Sequence, residues 1–314
     1  MSSYIARRFI NIAVTMFFVA TIVFVVMNIV PGDPTGMILG DEASPQAMAE
    51  LRAHLGLDQP MGVRLLSWYG GLLRGDLGQS MFYQRGVLEI ILARIEPTVF
   101  LTFMALVIAA TVGVLLGTVA GLRPGSAADL ATMVVALLGI SIPNFWLGLN
   151  LMLVFSLYLG WLPTAGYQSI ATVGVEGLRY LILPAIALGM SHAGIIARMT
   201  RANIVEVMHE DYVRTARAKG LRERVITGKH ALRNAMIPVA STIGVSMALM
   251  IGGSVIVEAV FAIPGIGSVV MHSIMSRDFP VVQGVLLLVA LFTALVNLAV
   301  DLMYAVLDPR IRYV

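Results

Sequence analysis

Cysteine is absent from the 314-residue chain, and charge is scarce: Asp, Glu, Lys and Arg make up 12% of it. The first absence removes disulfides, thiolate metal sites and cysteine nucleophiles together. The second removes a soluble globule, because soluble domains are about 25% charged and half of that does not cover a water-facing surface. Disorder falls on the same ground, since disordered chains are rich in charge and poor in hydrophobes. What is present is apolar, with 58% hydrophobic residues and a mean hydropathy of +0.88. The net charge of +3 by itself suits nucleic acid or membrane. Spread through so apolar a chain, 21 basic residues orient a membrane protein instead. The composition is that of a polytopic membrane protein with no nucleic-acid partner.

A spanning helix needs roughly 20 predominantly apolar residues. Uncharged runs of that length occur at Phe9–Val30, Thr98–Leu122, Leu130–Leu159, Tyr180–Ala197, Asn234–Val257 and Phe279–Val300, the last continuing past Asp301 to Leu307. The expected fold is therefore all-α, with six transmembrane helices in a single domain over 1–314. Gly160–Val175 is also uncharged, but Gly160, Pro163, Gly166 and Gly174 mark it as a loop. The segment 259–278 is broken by Ile263-Pro264-Gly265-Ile266-Gly267, which favours an external re-entrant or short helical piece over a seventh span. Phe9–Val30 follows Arg7 and Arg8 as a signal peptide does. It is too long for a signal core and offers no small-residue cleavage site, so it counts as the first helix.

Basic residues set the orientation. With both termini cytoplasmic, fourteen Lys and Arg lie inside and seven outside, and five of those seven belong to one long loop. Long loops weigh little in the positive-inside rule, so the N-in, C-in arrangement is strongly preferred.

Three regions lie outside the bilayer in this scheme. The external loop 31–97 holds eight acids and five arginines, a suitable water-facing cap that packs on the bundle or meets an external partner. Ser44-Pro45 begins a helix there and Gly56 ends it. Leu65, Leu66, Trp68, Tyr69, Leu72 and Leu73 form an amphipathic piece suited to the membrane interface. The cytoplasmic loop 198–233 carries nine basic residues and four acids. Glu206, Glu210 and Asp211 precede Arg214, Arg217 and Lys219, and Gly220 follows, an order that complements a helix dipole and supplies a stop. Tyr212, Ala216 and Gly220 recur every four residues, one face of a helix. That face admits close approach by another protein; the competing reading is a basic helix on anionic lipid. The chain closes on Leu307-Asp308-Pro309-Arg310-Ile311-Arg312-Tyr313-Val314, which leaves no expected cytoplasmic mass to hydrolyse a nucleotide. The phosphate-loop pattern is missing too, Gly228-Lys229-His230 being only a fragment of it. No enzyme activity is expected, and ATP-driven transport would need another chain.

Ionisable residues in membrane spans are functional candidates. These are His192, Glu258 and Asp301, the last four residues after Asn297 and on the same face. Asp301 fits a structural pairing better than a proton relay. Gly189-Met190-Ser191-His192-Ala193-Gly194 approximates an intramembrane serine-protease surround, but its second glycine falls one residue late. No histidine pair has metal-ligand spacing, so neither a catalytic nor a metal site is expected.

Across its whole length the chain resembles permease subunits of the peptide/nickel class of bacterial ATP-binding-cassette importers, in particular the first permease of dipeptide and oligopeptide systems. The resemblance is carried by Tyr4-Ile5-Ala6-Arg7-Arg8, Pro31-Gly32-Asp33-Pro34, Leu55-Gly56-Leu57-Asp58-Gln59-Pro60 and Gly75-Asp76-Leu77-Gly78. It continues through Ser141-Ile142-Pro143-Asn144-Phe145-Trp146, Gly160-Trp161-Leu162-Pro163 and Tyr212-Val213-Arg214-Thr215-Ala216-Arg217-Ala218-Lys219-Gly220. His230-Ala231-Leu232-Arg233-Asn234-Ala235, Glu258-Ala259-Val260-Phe261-Ala262-Ile263-Pro264-Gly265 and Leu307-Asp308-Pro309-Arg310 complete it.

The resemblance implies an inner-membrane subunit that pairs with a homologous second permease. It also implies an external substrate-binding protein and two cytoplasmic ATPase subunits, which bind the ATP and Mg; no cofactor sits in this chain. A coupling helix made of Tyr212, Arg214, Ala216, Arg217, Lys219 and Gly220 would dock into a groove on the ATPase. Of the importer signature only Ala216 and Gly220 agree here. Asn144, Glu258 and Asp301 are candidate pathway or gating positions. Similar chains carry dipeptides, oligopeptides, glutathione, nickel chelates or sugars. A self-sufficient ion-gradient carrier is the alternative of a different class.

Overall fold

The computed structural model describes residues 2–29, 35–36, 44–54 and 56–307. Pro31-Gly32-Asp33-Pro34 and the terminal Asp308–Val314 stretch lie outside them, and so does Leu55. Among the described residues the secondary structure is helical, apart from one isolated antiparallel bridge between Gln79 and Gly86. The principal helices are α1 (Ser2–Ile29), α2 (Pro45–His54), α3 (Met61–Leu72), α4 (Val87–Leu122), α5 (Ala127–Ser141) and α6 (Asn144–Leu151). After these come α7 (Arg179–Met208), α8 (Asp211–Ala218), α9 (Arg233–Val260), α10 (Ile266–Met275) and α11 (Phe279–Leu307). Two π-helical turns interrupt the series, Met152–Tyr158 after α6 and Ile226–Leu232 before α9.

Five stretches are long and apolar enough to cross a bilayer: Arg7–Ile29, Val87–Leu122, Ile182–Met208, Glu223–Val260 and Phe279–Leu302. The sixth expected run, Leu130–Leu159, is not one straight helix. It is the pair Ala127–Ser141 and Asn144–Tyr158, bent by 102°. The cause is local. Pro143 pushes the residue before it out of the helical region, and Ile142 is extended at φ −79°, ψ 124°. Six spans result when this bent pair counts as one.

Other boundaries move as well. The second span starts eleven residues earlier than its uncharged run and contains Pro97, so the tail of the expected external loop is helix. The fourth continues past Ala197 to Met208, because nothing between Arg198 and Met208 breaks a helix. The segment 259–278 yields the ten-residue α10 after a non-helical turn through Ala262, whose φ is +49°.

The chain divides into two compact units, residues 1–96 with 264–294 and residues 97–263 with 295–314. In the first, α3 turns Trp68 and Tyr69 onto α1, while Leu66 and the following Leu73 stay exposed. Trp68 lies 5.3 Å from the Phe24 ring and Tyr69 stacks on Phe17 at 5.5 Å. The Tyr69 hydroxyl donates to the Phe17 carbonyl at 2.9 Å. Val87 and Ile91 of α4 form a second core with Ile266 and Val269 of α10 and Val281 and Val285 of α11. The buried Asp278 holds the adjoining turn, accepting from Ser80 Oγ and from the backbone N–H groups of Met81 and Phe82.

In the second unit α7 is the hub, packing on α5, α6 and α9. Backbones approach closely where side chains are missing, which is how helices associate in lipid. Gly113, Gly117 and Gly121 of α4, four residues apart, face Ile196, Thr200 and Ile204 of α7. A Cβ at Gly113 would lie 2.7 Å from Ile196 Cβ, and one at Gly121 2.9 Å from Ile204 Cβ. Gly189 of α7 meets the Ala105 carbonyl of α4, and Gly139 of α5 meets the Met190 carbonyl of α7.

Candidate functional site

The basic segment 198–233 is built from the end of α7, the short α8, the π turn and the first residue of α9. The π turn carries Gly228 and leads directly into α9. Helix α8 runs eight residues, with Asp211 in its first turn and Arg217 in its last. Its stop is a two-bond motif: Gly220 N–H donates to Arg217 O at 2.9 Å and Leu221 N–H to Ala216 O at 3.3 Å. Gly220 closes it at φ +76°, in the left-handed region that penalises a side chain. Arg214 lies 3.5 Å from Asp211, and Arg217 Nε donates to Glu223 at 2.8 Å. That hydrogen bond raises the Arg217 pKa, so the guanidinium stays charged at any physiological pH.

The expected row of Tyr212, Ala216 and Gly220 does not form one open face. Val213 and Ala216, three residues apart, are buried against Ile226, with Val207 and Met208 packed around them. Ala216 therefore points into its own chain. Tyr212 is 40% exposed and its hydroxyl accepts from Asn234 Nδ2 at 2.8 Å, which ties α8 to the start of α9. The reason is that Ile226, ten residues beyond Ala216, supplies an apolar partner that helical spacing within 211–220 does not reveal. What remains open is a surface of Arg214, Arg217 and Lys219 beside the exposed apolar groups of Tyr212, Leu221 and Val225.

An ion pair that sequence patterning did not single out anchors α5 to α7. Asp129 is buried and takes both Arg201 Nε, at 2.5 Å, and Arg201 Nη2, at 2.7 Å. It also accepts from Gly125 N–H at 2.9 Å, while Ser126 caps the helix through Asp129 N–H. A bidentate arginine–carboxylate bond is geometrically selective, and removing one partner strands a buried charge. Arg201 keeps 32% of its side chain exposed, which lowers the cost. Arg201→Ala is expected to destabilise the purified chain by about 2–3 kcal/mol and Asp129→Asn by less, since the amide still accepts one bond. Thermal unfolding checks this order.

The other candidates are scattered. Glu258 is fully buried and accepts from Thr98 Oγ1 at 2.7 Å and Ser254 Oγ at 3.3 Å, joining α9 to α4. Asn144 is half-buried at the first position of α6, just past the proline bend, and Asp301 is half-buried in α11. His192 is buried in the middle of α7.

Long apolar helices with an exposed basic connector between two of them define a polytopic membrane protein. Residues 113–313 match the family described as the binding-protein-dependent transport system inner membrane component, and residues 1–102 match its N-terminal membrane component. The chain belongs to this family: it is a multi-pass inner-membrane component of a binding-protein-dependent transport system. A Brucella abortus (strain 2308) protein, named as the permease of a peptide transport system, is 41% identical over 313 residues, with 100% of both chains covered. The glutathione transport system permease of Salmonella choleraesuis (strain SC-B67) is 42% identical over 313 residues, again with 100% of each covered. Among solved structures, the inward-facing MetNI methionine ABC transporter shares the fold, with a TM-score of 0.58 at 19% identity over 70% of this chain and 97% of that one.

Proposed function

We propose that the chain is one of two homologous permease subunits of an importer that moves peptides across the inner membrane by alternating access, driven by two cytoplasmic ATPase subunits. The observation that carries this is full-length similarity above 40% to permeases named for peptide and for glutathione, glutathione being itself a small modified peptide. Both termini and the connector 198–233 lie on the cytoplasmic side, and the loop 31–97 faces outward to the substrate-binding protein. The distribution of Lys and Arg supports that orientation. The exposed surface of α8 and Leu221 meets the ATPase, and ATP and Mg bind there, not in this chain.

The test is uptake into proteoliposomes. The complete complex with binding protein, ATP and a labelled dipeptide or tripeptide is expected to accumulate substrate, and this chain alone under an ion gradient to accumulate none. In the same vesicles a single cysteine at Thr227 is expected to react only from the ATPase side. Uptake by the chain alone would turn the assignment to a gradient-driven carrier, and labelling of Thr227 from the opposite side would invert the topology.

A further inference from the structure

Between the end of α6's π turn and the start of α7 lies a cleft of about 320 Å³, at the small end of the range for ligand pockets. Trp161, Gln168, Glu176, Arg179 and Tyr180 are among its walls. Two opposite charges stand side by side in it, with Arg179 Nη1 3.5 Å from Glu176 Oε2 and more than half of each side chain exposed. Arg179 Nη2 donates to the Trp161 carbonyl at 3.1 Å, which holds the guanidinium at the rim. A guanidinium has five N–H donors, so donors remain for a ligand. The site is a cation tethered at the rim beside an exposed anion.

The chain segment that leads into the cleft exposes apolar side chains. Leu153, Val154 and Leu157 of the π turn are 42%, 42% and 66% exposed, in a segment whose length and composition place it in the bilayer. Tyr158 and Trp161 follow, 77% and 61% exposed, and such amphipathic aromatics gather at the membrane–water boundary. Along the chain the order is exposed aliphatic surface, then aromatic girdle, then paired charges. A phospholipid presents the complementary order from acyl chain to head group.

We infer that this cleft holds the head group of a phospholipid bearing a primary ammonium, with the phosphate on Arg179, the ammonium on Glu176 and an acyl chain along Leu153 and Leu157. The charge pair selects among lipids. Phosphatidylglycerol offers Glu176 no cation, and the quaternary ammonium of phosphatidylcholine has no N–H to donate to its carboxylate. A water-soluble zwitterion such as a dipeptide satisfies the charges but leaves the aliphatic approach unused. The inference needs only that the segment ending at Tyr158 is embedded in lipid, so its failure leaves the importer reading, tested by uptake, intact.

The experiment uses the full chain in vesicles doped with phosphatidylethanolamine that carries a photoreactive group near the top of one acyl chain. Adducts are expected within residues 153–161. Unlabelled phosphatidylethanolamine is expected to displace the probe about tenfold better than phosphatidylglycerol or phosphatidylcholine, the scale of one charge-assisted hydrogen bond. Glu176→Gln is expected to erase that preference, and Arg179→Ala to lower labelling by every phospholipid. Both residues are exposed and their pair contributes little to stability, so folded variants are expected; should either fail, competition among the three lipids on the unaltered chain still decides. Equal displacement by all three lipids, or a preference that survives Glu176→Gln, would overturn the inference. Displacement by a dipeptide and not by lipid would also overturn it and make the cleft a peptide subsite.

Discussion

Gly117→Leu is expected to leave no folded permease. A Cβ at this position falls onto the Ala197 carbonyl, the Thr200 Cβ and the Arg201 amide of α7. Two of those three are backbone atoms, which cannot rotate aside, so α4 and α7 must separate. Separation also empties the contacts that Gly113 and Gly121 make with Ile196 and Ile204, one helical turn away on either side. Overpacking by a few atoms typically costs about 1–3 kcal/mol, and a clash against backbone at the centre of a three-turn seam lies at or beyond that range. Gly117→Ala is expected to destabilise measurably, and leucine to abolish the monodisperse species in detergent. Gly252 supplies the contrast. It is exposed on α9, with nothing within 4 Å of an added Cβ. Gly252→Ala is expected to be neutral or to stabilise by up to about 1 kcal/mol through helix propensity. Size-exclusion profiles after heating separate the three variants. Survival of Gly117→Leu at the unaltered melting temperature would refute the close α4–α7 crossing.

How much of this was legible beforehand follows from the range of each physical cause. Charge-free runs mark the spans, because exclusion of charge from lipid acts on every residue of a run. The bend between α5 and α6 was open to reading in Pro143 alone, since proline restricts its predecessor whatever the tertiary setting. The glycines at 113, 117 and 121 were equally readable as a close-packing seam. Other features depend on residues distant in sequence. Nothing local says that Arg201 will reach Asp129, seventy-two residues earlier, or that Glu258 will meet Thr98. The extent of α7 was hidden for a different reason. Its last turns are polar where it leaves the apolar layer, so hydropathy ends at Ala197 although the hydrogen-bonded helix does not. In α8 the four-residue spacing correctly places Tyr212 and Ala216 on one helix with Gly220 as its stop, but spacing cannot tell which side a fold covers. Ile226 decides that, from inside a π turn.

Gly220→Val and Ala216→Trp are expected to disconnect the ATPase while the chain remains inserted and folded. They act by different routes on the same helix. Valine at Gly220 meets no atom within 4 Å but must hold φ near +76°, where a β-branched residue is strained by about 1–2 kcal/mol or more. The stop is then lost, and with it the bond from Leu221 N–H to Ala216 O that sets the pose of Leu221 after α8. Tryptophan at Ala216 overfills the small cluster of Val213 and Ile226, which tilts α8 away from α7 at a similar cost. That cluster is separate from the large core around α7, so the melting temperature of the whole chain should move little. Docking suffers in full, because 1–3 kcal/mol corresponds to roughly 5- to 150-fold in a binding equilibrium. Co-purification of the ATPase is therefore expected to fall at least about fivefold in both variants, and ATP-driven uptake with it. Arg217→Ala and Lys219→Ala remove exposed charges worth a fraction of a kcal/mol each, so both should retain the ATPase within about threefold. A connector that served only to hold anionic lipid would reverse this order, since lipid attraction depends on charge and is indifferent to the pose of α8. Normal ATPase recovery and uptake in both Gly220→Val and Ala216→Trp would end the assignment of α8 as the coupling helix.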